Sequence, residues 1–369
     1  MSNNPNNPNN TPAVSGIAAL KTVALAAKAS GNFLRILGRS GAGKTTVAAK
    51  LAECLGINPD RVTVVNFAGS LPSQVLGQLM PDAASRESWR TKPIDLPLRE
   101  RVGDEPYLLI LDEFASWDQS IQCLFHGLKS PDGLPVVGSH ELPKGLFVVL
   151  TGNRREDAAA SNTEKAPVVG RSSTVEWLPS VESWRDHEGS AAAASPIAAF
   201  LSYCGKAGSD VADFFCPSPP KPWRGEPYPQ PREWSGLLKA EANAWPSDPA
   251  LQNLVIASAV GQTAADACSA FLALAKRLLP MLDSILSGES SMPSNPADRY
   301  ALAHCAVRRA LALSGNDPAA AVAGGKLDII IERVFVPLDC EMRAWVFSAA
   351  LAAGIPLDQH PQQHVLQSL

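Results

Sequence analysis

The chain has 369 residues, of which 46% are hydrophobic, and its formal net charge is −4 with an isoelectric point near 5.9. This composition predicts a globular protein of two or three domains and excludes a disordered chain. The overall charge gives no indication of nonspecific nucleic-acid binding, because there is no basic excess. No pair among the seven cysteines has C-x-x-C spacing, so we expect reduced thiols in a cytoplasmic protein.

The first 15 residues are rich in Asn and Pro and are predicted to form a disordered arm. They lack the basic region and the apolar core of a signal peptide. The sequence contains no run of about 18 apolar residues, so we expect no membrane span.

The most informative stretch is residues 33–45, where an apolar run leads into G-x-x-x-x-G-K-T and an Ala-rich helical stretch follows. This is the phosphate-binding loop in its context of strand, loop and helix. The amides of residues 41–46 are expected to point at phosphate oxygens, at the positive end of the helix. Lys44 is expected to reach the β- and γ-phosphates of ATP, and the Thr45 hydroxyl to hold Mg²⁺. The predicted nucleotide-binding residues are Gly38, Ser40, Gly41, Ala42, Gly43, Lys44, Thr45 and Thr46.

Strands and helices alternate through the first half of the chain. β-Branched or apolar runs predict further strands at 61–67, 107–111, 146–150 and, more weakly, 174–178, and helical patterns occur at 16–30 and 46–55. This alternation predicts a parallel α/β sheet. After about Pro179 the composition shifts to Ala-rich helical segments.

Two of the predicted strands end in polar residues suited to phosphate chemistry. Asp112 and Glu113 follow the strand at 107–111, and in a doubly wound sheet they would lie beside the phosphate loop. Asp112 is expected to hold Mg²⁺, and Glu113 to orient and deprotonate the attacking water. Asn153 ends the next strand in the sequence T-G-N, where its amide can hydrogen-bond a γ-phosphate or the water; a plain turn is the alternative.

In this order, the phosphate loop, the D-E strand end and the T-G-N strand end resemble an AAA+ ATPase. The finer pattern is similar to the MoxR-like branch, near the dynein-related and CbbQ-type proteins. The sequence GSHELPKG at 138–145 falls where this branch carries a β-hairpin insert, and Leu76-Gly77 with Trp89 and Pro93 resembles its helix-2 region. The resemblance covers roughly 16–290.

The resemblance implies roles for further residues. Asn153 corresponds to sensor 1, and Arg171 to the arginine finger that reaches the γ-phosphate of a neighbouring subunit. Arg232 corresponds to sensor 2, which contacts phosphates in its own subunit. A planar, permanently charged guanidinium suits these roles because it neutralises charge on the transferred phosphoryl group. Two serines follow Arg171 where the family often has Asn-Arg-Phe, so Arg154 and Arg155 stay open as the finger.

For the fold, the resemblance implies a P-loop NTPase of the α/β class, with a doubly wound parallel sheet, an α-helical lid and a helical C-terminal region. The expected boundaries are 1–15 for the arm, 16–179 for the αβα nucleotide-binding domain, 180–290 for the lid and 291–369 for the C-terminal region.

For function, the resemblance implies Mg²⁺-dependent ATP hydrolysis coupled to remodelling or activation of a protein partner. A finger acting in trans implies a homo-oligomeric ring, expected to be a hexamer. The family often works with a protein carrying a von Willebrand factor A domain. Two other classes stay open: a DNA-directed AAA+ motor or loader, and a regulatory switch that binds ATP and hydrolyses it slowly.

Overall fold

The computed structural model of the chain forms two compact units, Met1–Pro179 and Ser180–Leu369. The residues it describes are 11–77, 79–81, 88–90, 93, 95–128, 133–154, 170–193, 195–204, 214–217, 225–314, 326–352, 355 and 357. The first ten residues of the expected arm, and Arg155 of the candidate fingers, lie outside them.

The first unit is built on a six-stranded sheet. In chain order, the strands of this unit are β1 (Ala13–Val14), β2 (Phe33–Gly38), β3 (Val62–Val65), β4 (Leu79–Pro81), β5 (Ser88–Arg90), β6 (Tyr107–Leu111), β7 (Val136–Val137), β8 (His140–Glu141), β9 (Leu146–Asn153) and β10 (Ser172–Trp177). The six-stranded sheet has the order β1-β10-β2-β9-β6-β3, and all its neighbouring strands are parallel. The pairs β4-β5 and β7-β8 are antiparallel.

Helices cover both faces of this sheet. They are α1 (Ile17–Ala29), α2 (Lys44–Cys54), α3 (Pro72–Leu76), α4 (Arg99–Val102) and α5 (Gln119–Leu124). Side chains of α1 and α2 join the hydrophobic cluster on one face, and side chains of α3 and α5 join the cluster on the other. The predicted α/β class, a P-loop NTPase with a doubly wound parallel sheet, is therefore confirmed.

The central strands are apolar throughout because both of their faces are covered. All five residues of β6 are buried. Leu108 and Ile110 belong to one cluster, while Leu109 and Leu111 belong to the other. This alternation explains why the sequence shows a continuous apolar run here rather than a period of two.

The expected disordered arm, residues 1–15, is ordered near its end, where Ala13–Val14 form the edge strand β1. Val14 is buried, and its carbonyl accepts a hydrogen bond from the N–H of Leu178 at 2.9 Å. The carbonyl of Pro12 accepts one from Glu176 at the same distance. Residues 12–14 are thus ordered by pairing with the open edge of β10, which a compositional argument does not detect.

The segment expected to carry a hairpin insert does form a hairpin, and it packs on its own unit. β7 and β8 pair as Val136 with Glu141 and Val137 with His140, around a turn in which Gly138 has φ 60°. Val137 is fully buried, and the ring Nε2 of His140 lies 2.8 Å from the carbonyl of Leu76. The segment could line a central pore or contact a partner, or it could be an ordinary hairpin that packs on its own domain; these contacts support the last of these.

Among its described residues, the second unit contains helices joined by loops and no strand. Its helices are α6 (Val181–Glu188), α7 (Ser190–Ala193), α8 (Pro196–Cys204), α9 (Pro231–Ala244), α10 (Pro249–Val260), α11 (Gln262–Ser287), α12 (Pro296–Ser314), α13 (Lys326–Ile330) and α14 (Cys340–Ala352), with a π-helical turn at Ile331–Phe335. One hydrophobic cluster joins them. Among the helices that the structure describes, none combines the length and apolarity needed to cross a membrane.

Candidate nucleotide-binding site

Three adjacent strands bring the predicted site residues together. In the sheet order, β9 lies between β2 and β6, and Gly38 pairs with Asn153 at the carboxyl end of the first pair. Leu111, which precedes Asp112, pairs with Leu150. Because all three strands are parallel, the phosphate loop, the D-E pair and Asn153 emerge at one edge of the sheet, where ligands bind in folds of this kind.

Glycines shape the loop between β2 and α2. Gly41 has φ 68° and Gly43 has φ 79°, a left-handed conformation that favours glycine. A Cβ at Gly38 would lie 2.8 Å from the carbonyl oxygen of Trp177, so no other residue fits without movement. The first amides of α2 have no helical acceptor and are available to an anion.

The other predicted loop residues lie around this turn. Ser40 and Thr46 are exposed, while Ala42 is buried and its carbonyl accepts a hydrogen bond from the indole Nε1 of Trp177 at 2.9 Å. Trp177 ends β10 on the far side of β2, so its ring joins the loop to the sheet.

Lys44 is folded back over the loop. Its side chain is buried, and Nζ donates to the carbonyls of Gly38 at 3.1 Å and Arg39 at 2.7 Å and to Oδ1 of Asn153 at 2.9 Å. These three acceptors are neutral oxygens, and they hold the ammonium group of Lys44 over the loop.

Three hydrogen-bonded side chains of the site carry oxygen atoms suited to a metal ion. The hydroxyls of Thr45 and Thr151 both donate to Oδ1 of Asp112, at 2.5 and 2.6 Å. Within the described residues, no group of three or more His, Cys, Asp or Glu side chains is gathered to hold a metal. One carboxylate with one hydroxyl nevertheless suits Mg²⁺, which is usually held by one or two protein oxygens together with substrate phosphates and water.

Glu113 has an unusual backbone. Its φ of 52° and ψ of 36° are left-handed, and it is the one non-glycine residue with positive φ among those described. Its N–H donates to Oγ1 of Thr151 at 3.2 Å, and its side chain is exposed. Such strain is concentrated at functional sites, because the surrounding structure must hold it.

An aromatic cluster provides that hold. Trp117 is fully buried, and its Nε1 donates to the carbonyl of Asp112 at 3.0 Å. Its ring contacts those of Phe67, Phe114 and Phe125 at centroid separations of 5.1 to 5.3 Å. The turn that carries the two acids is thus anchored in the core of the sheet's second face.

Two residues in the site were not predicted from the sequence. Thr151 is 1% exposed and contacts both acids, through the carboxylate of Asp112 and the N–H of Glu113. Trp177 braces the phosphate loop. For Thr151 a signal was present, since it lies two positions before Asn153 on the same face of the strand. For Trp177 no spacing rule connects it with the loop 135 residues earlier.

The candidate fingers occupy different environments. Arg171 is exposed at the amino end of β10, and roughly 16 Å of strand separates that end of the sheet from the phosphate loop. Its Nη1 donates to the carbonyl of His126 at 3.4 Å. Arg154 is engaged instead: its Nη1 pairs with Oε1 of Glu176 at 2.6 Å, and the two side chains are 14% and 12% exposed.

Arg232, the predicted sensor 2, lies in the second unit. It is exposed in the first turn of α9, directly after Pro231. Proline is favoured at this position because its missing N–H is not needed there.

Comparisons with known proteins find similarity to solved structures over part of the chain. No family model and no curated protein matches the sequence. A structure described as the closed state of Hsp104 with ATPyS and FITC casein matches 47% of this chain and 35% of its own, at 18% identity and a TM-score of 0.34. The structure of the Thermotoga maritima RuvB Holliday junction branch migration motor matches 78% of this chain and 80% of its own, at 16% identity and a TM-score of 0.35.

This chain thus spans about a third of the Hsp104 chain that it matches. Because both TM-scores are below 0.5, the fold class rests on the sheet order and the phosphate loop.

Proposed function

We propose that this chain is a Mg²⁺-dependent ATPase of the AAA+ type, close to the MoxR-like branch, which remodels or activates a protein partner. The observations that support it best are the hydrogen bond of Lys44 to Asn153 and those of Thr45 and Thr151 to Asp112. The first turn of α2 and the ends of β6 and β9 thereby bring a cation, oxygen atoms suited to a metal and an amide close together. An ordinary glycine-rich turn needs none of them.

In the proposed mechanism, the triphosphate binds at the start of α2. The free amides there and the ammonium of Lys44 take the phosphate oxygens. Thr45 and Asp112 would hold Mg²⁺, which supplies charge neutralisation for the phosphates. Thr151 keeps the Asp112 carboxylate turned toward Thr45 through its 2.6 Å hydrogen bond.

Hydrolysis then requires a base and a group that orients the water. The exposed carboxylate of Glu113 is held at the rim by its strained turn, where it can take a proton from a water molecule. The amide of Asn153 already contacts Lys44 and would orient the γ-phosphate or the water from the other side. Loss of the γ-phosphate would end these contacts and allow the conformational change that drives remodelling.

A ring is proposed because the strongest finger candidate cannot serve its own site. Arg171 is at the opposite end of the sheet from the loop and is exposed, as a residue acting on a neighbouring subunit would be. Arg154 is disfavoured because its ion pair with Glu176 holds it within the sheet. A head-to-tail contact of this kind closes into a ring, for which we propose a hexamer. Arg232 is proposed as sensor 2.

The test of the protein partner uses Glu113→Gln, which should bind ATP without hydrolysing it and so stabilise the partner-bound state. The tagged variant is recovered from lysate with ATP and Mg²⁺, and Lys44→Ala is carried through in parallel as the control that cannot bind nucleotide. We expect one stoichiometric protein that is present with Glu113→Gln and absent with Lys44→Ala. A partner with a von Willebrand factor A domain would support the MoxR-like branch. Separately, the cytoplasmic location of the protein stays a prediction.

Two results would overturn this assignment. Recovery of nucleic acid, with ATPase stimulation by DNA and a steep loss of affinity in salt, would move the chain to the DNA-directed class. Phosphate release by the wild-type protein no faster than by Glu113→Gln would indicate a switch that binds ATP and hardly turns it over.

The ring is tested by mixing two inactive variants. Arg171→Ala should bind ATP normally and hydrolyse it roughly 10³-fold more slowly or worse, because a finger is worth about 10³ to 10⁵ in rate. Mixed with Lys44→Ala, whose finger is intact, it should regain activity at shared interfaces. Lys28→Ala removes another exposed cation and should remain active. Near-normal turnover by Arg171→Ala would remove this residue from the mechanism.

A further inference from the structure

The helical unit contains a cavity that the nucleotide site does not use. Its volume is about 660 Å³, within the range of pockets that hold small molecules. Residues of α9, α11 and α12 line it, and all of them belong to the second unit. The cavity is open to solvent, because Lys276, Leu279 and Arg308 in its lining are exposed.

One wall carries a buried histidine with unmet hydrogen bonds. His304 lies in the interior of α12 and is 2% exposed, and neither of its ring nitrogens has a hydrogen-bond partner among the described residues. Burial, and to a smaller extent Arg308, lowers the pKa of the ring to about 3. The ring is therefore neutral, with one donor and one acceptor nitrogen, and leaving both unpaired is unfavourable.

The charges around this histidine favour an anion. Arg308 is one helical turn beyond His304, on the same face of α12, and makes no ion pair within 4 Å with the described residues. Arg309 is already paired, because its Nη2 lies 3.6 Å from Oδ1 of Asp283. With Lys276, the wall holds three cations against two acids, a balance of +1.

The second of those acids, Glu241, accepts a hydrogen bond from the hydroxyl of Ser195 at 2.5 Å. Burial is the largest effect on this carboxyl and raises its pKa, while the hydrogen bond from Ser195 and the charge of Arg308 lower it.

Part of the wall is apolar. Leu272, Leu279 and Leu282 face the cavity from α11, and Trp245 closes it beyond the end of α9. From this arrangement we propose that the cavity binds a small amphipathic organic anion, with its carboxylate on Arg308 and its apolar body against the leucines. None of the residues that line the cavity has a role in the proposed nucleotide site.

The experiment measures binding to the full-length, nucleotide-free chain by calorimetry. The probes are hexanoate, 3-phenylpropionate and indole-3-propionate, each compared with its own neutral amide. We expect at least one carboxylate to bind, and its amide to bind roughly tenfold to a hundredfold more weakly, the factor associated with a hydrogen bond to a charged group.

Two variants locate the site. Arg308→Gln should reduce carboxylate affinity by the same factor as amidation of the probe. Arg277→Gln is the matched control, because Arg277 is an exposed arginine on α11 that does not line the cavity. The proposal is overturned if no carboxylate binds at 10 mM, if the amides bind as tightly as the acids, or if Arg277→Gln weakens binding as much as Arg308→Gln.

Discussion

The molecule contains two clusters of buried or half-buried polar groups, and they are built differently. At the phosphate loop, Lys44 donates to two loop carbonyls and to Asn153, and Thr45 and Thr151 both donate to Asp112, at distances of 2.5 to 3.1 Å. In the helical unit, His304 is 2% exposed and has no partner among the described residues. The first cluster is joined by hydrogen bonds, and the second is open.

This difference indicates how each cluster will respond to substitution. In a connected network, the loss of one member leaves its neighbours unsatisfied, so the effect exceeds that of a single hydrogen bond. In the open cluster, a polar group already carries an unmet desolvation cost, so replacing it with an apolar group should stabilise the fold. Substitution should therefore destabilise the protein at the first cluster and stabilise it at the second.

The largest effect is expected for Asp112→Ala. This change removes the acceptor shared by Thr45 and Thr151, and with it the proposed metal-binding carboxylate. We expect hydrolysis to fall by roughly 1,000-fold or more, since a bound metal supplies several kcal/mol of charge stabilisation. The rate of hydrolysis is measured as phosphate release at saturating ATP and varied Mg²⁺.

A matched acid controls for general damage. Asp118→Ala, six residues on, removes an exposed carboxylate that caps α5 through the N–H of Ser120. It should cost about 1 kcal/mol of stability as a lost helix cap and leave hydrolysis unchanged. If both variants lose activity equally, Asp112 has no special role at this site.

The next effect is expected for Thr151→Val, which keeps the shape of the side chain and removes its hydroxyl. Asp112 then loses a donor, and the N–H of Glu113 loses its acceptor. We expect a destabilisation of about 1 to 3 kcal/mol and a fall in kcat of roughly tenfold to a hundredfold, with little change in KM.

Rescue separates positioning from packing in this case. Thr151→Ser restores the hydroxyl but lacks the methyl group, so it should recover kcat while remaining less well packed. A serine variant as slow as the valine variant would show that Thr151 acts only by filling space.

The two clusters differ in how far they could be predicted from the sequence. The sheet, its buried strands and the meeting of the loop with Asp112 and Asn153 followed from periodicity and motif order, because parallel strand ends share one edge. The strand at Ala13–Val14 did not, because two residues paired to an edge carry no pattern. The pairing of Arg154 with Glu176 depends on which strands are neighbours.

The open cluster could not be predicted at all. His304 lies in an Ala-rich helix with no motif around it, and its significance depends on a void left between helices. Periodicity assigns residues to a core, but it does not show where the core is incomplete.

A smaller effect of opposite sign is expected for His304→Leu. The folded-state pKa of about 3 lies below the ordinary value of 6.5, so between these limits the unfolded state binds a proton that the folded state does not. Stability contributed by the neutral ring is therefore present above pH 6.5 and is lost as the pH falls, by about 1.4 kcal/mol per pH unit.

The leucine variant should lack this dependence. Amide hydrogen exchange of α12 reports the opening of this unit directly. We expect the free energy of opening to be higher in the variant than in the wild type, and this difference to grow by about 2 kcal/mol from pH 6.5 to pH 5.0. The other charged groups that line the cavity are common to both proteins, so their titration cancels in the difference; they are Glu241, Lys276, Asp283, Arg308 and Arg309. An equal pH dependence in both would mean that His304 has a partner.

The smallest effect tests how the first cluster is held in place. Trp177→Phe removes the donor to the carbonyl of Ala42 and so frees the phosphate loop from β10. A neutral hydrogen bond is worth about 1 kcal/mol, so nucleotide affinity should fall roughly fivefold, as measured by titration with a fluorescent ATP analogue.

The second unit offers a control of the same chemistry. The indole Nε1 of Trp184 donates to Oγ of Ser235 at 2.9 Å, and Trp184 is 6% exposed against 5% for Trp177. Trp184→Phe therefore loses a hydrogen bond of equal length and a similar buried volume, but its partner is Ser235 in the second unit and not the phosphate loop. Nucleotide affinity should be unchanged in this variant. If it falls equally in both, the loss reflects general destabilisation; if it falls only with Trp177→Phe, the loop geometry depends on a side chain 135 residues away in sequence.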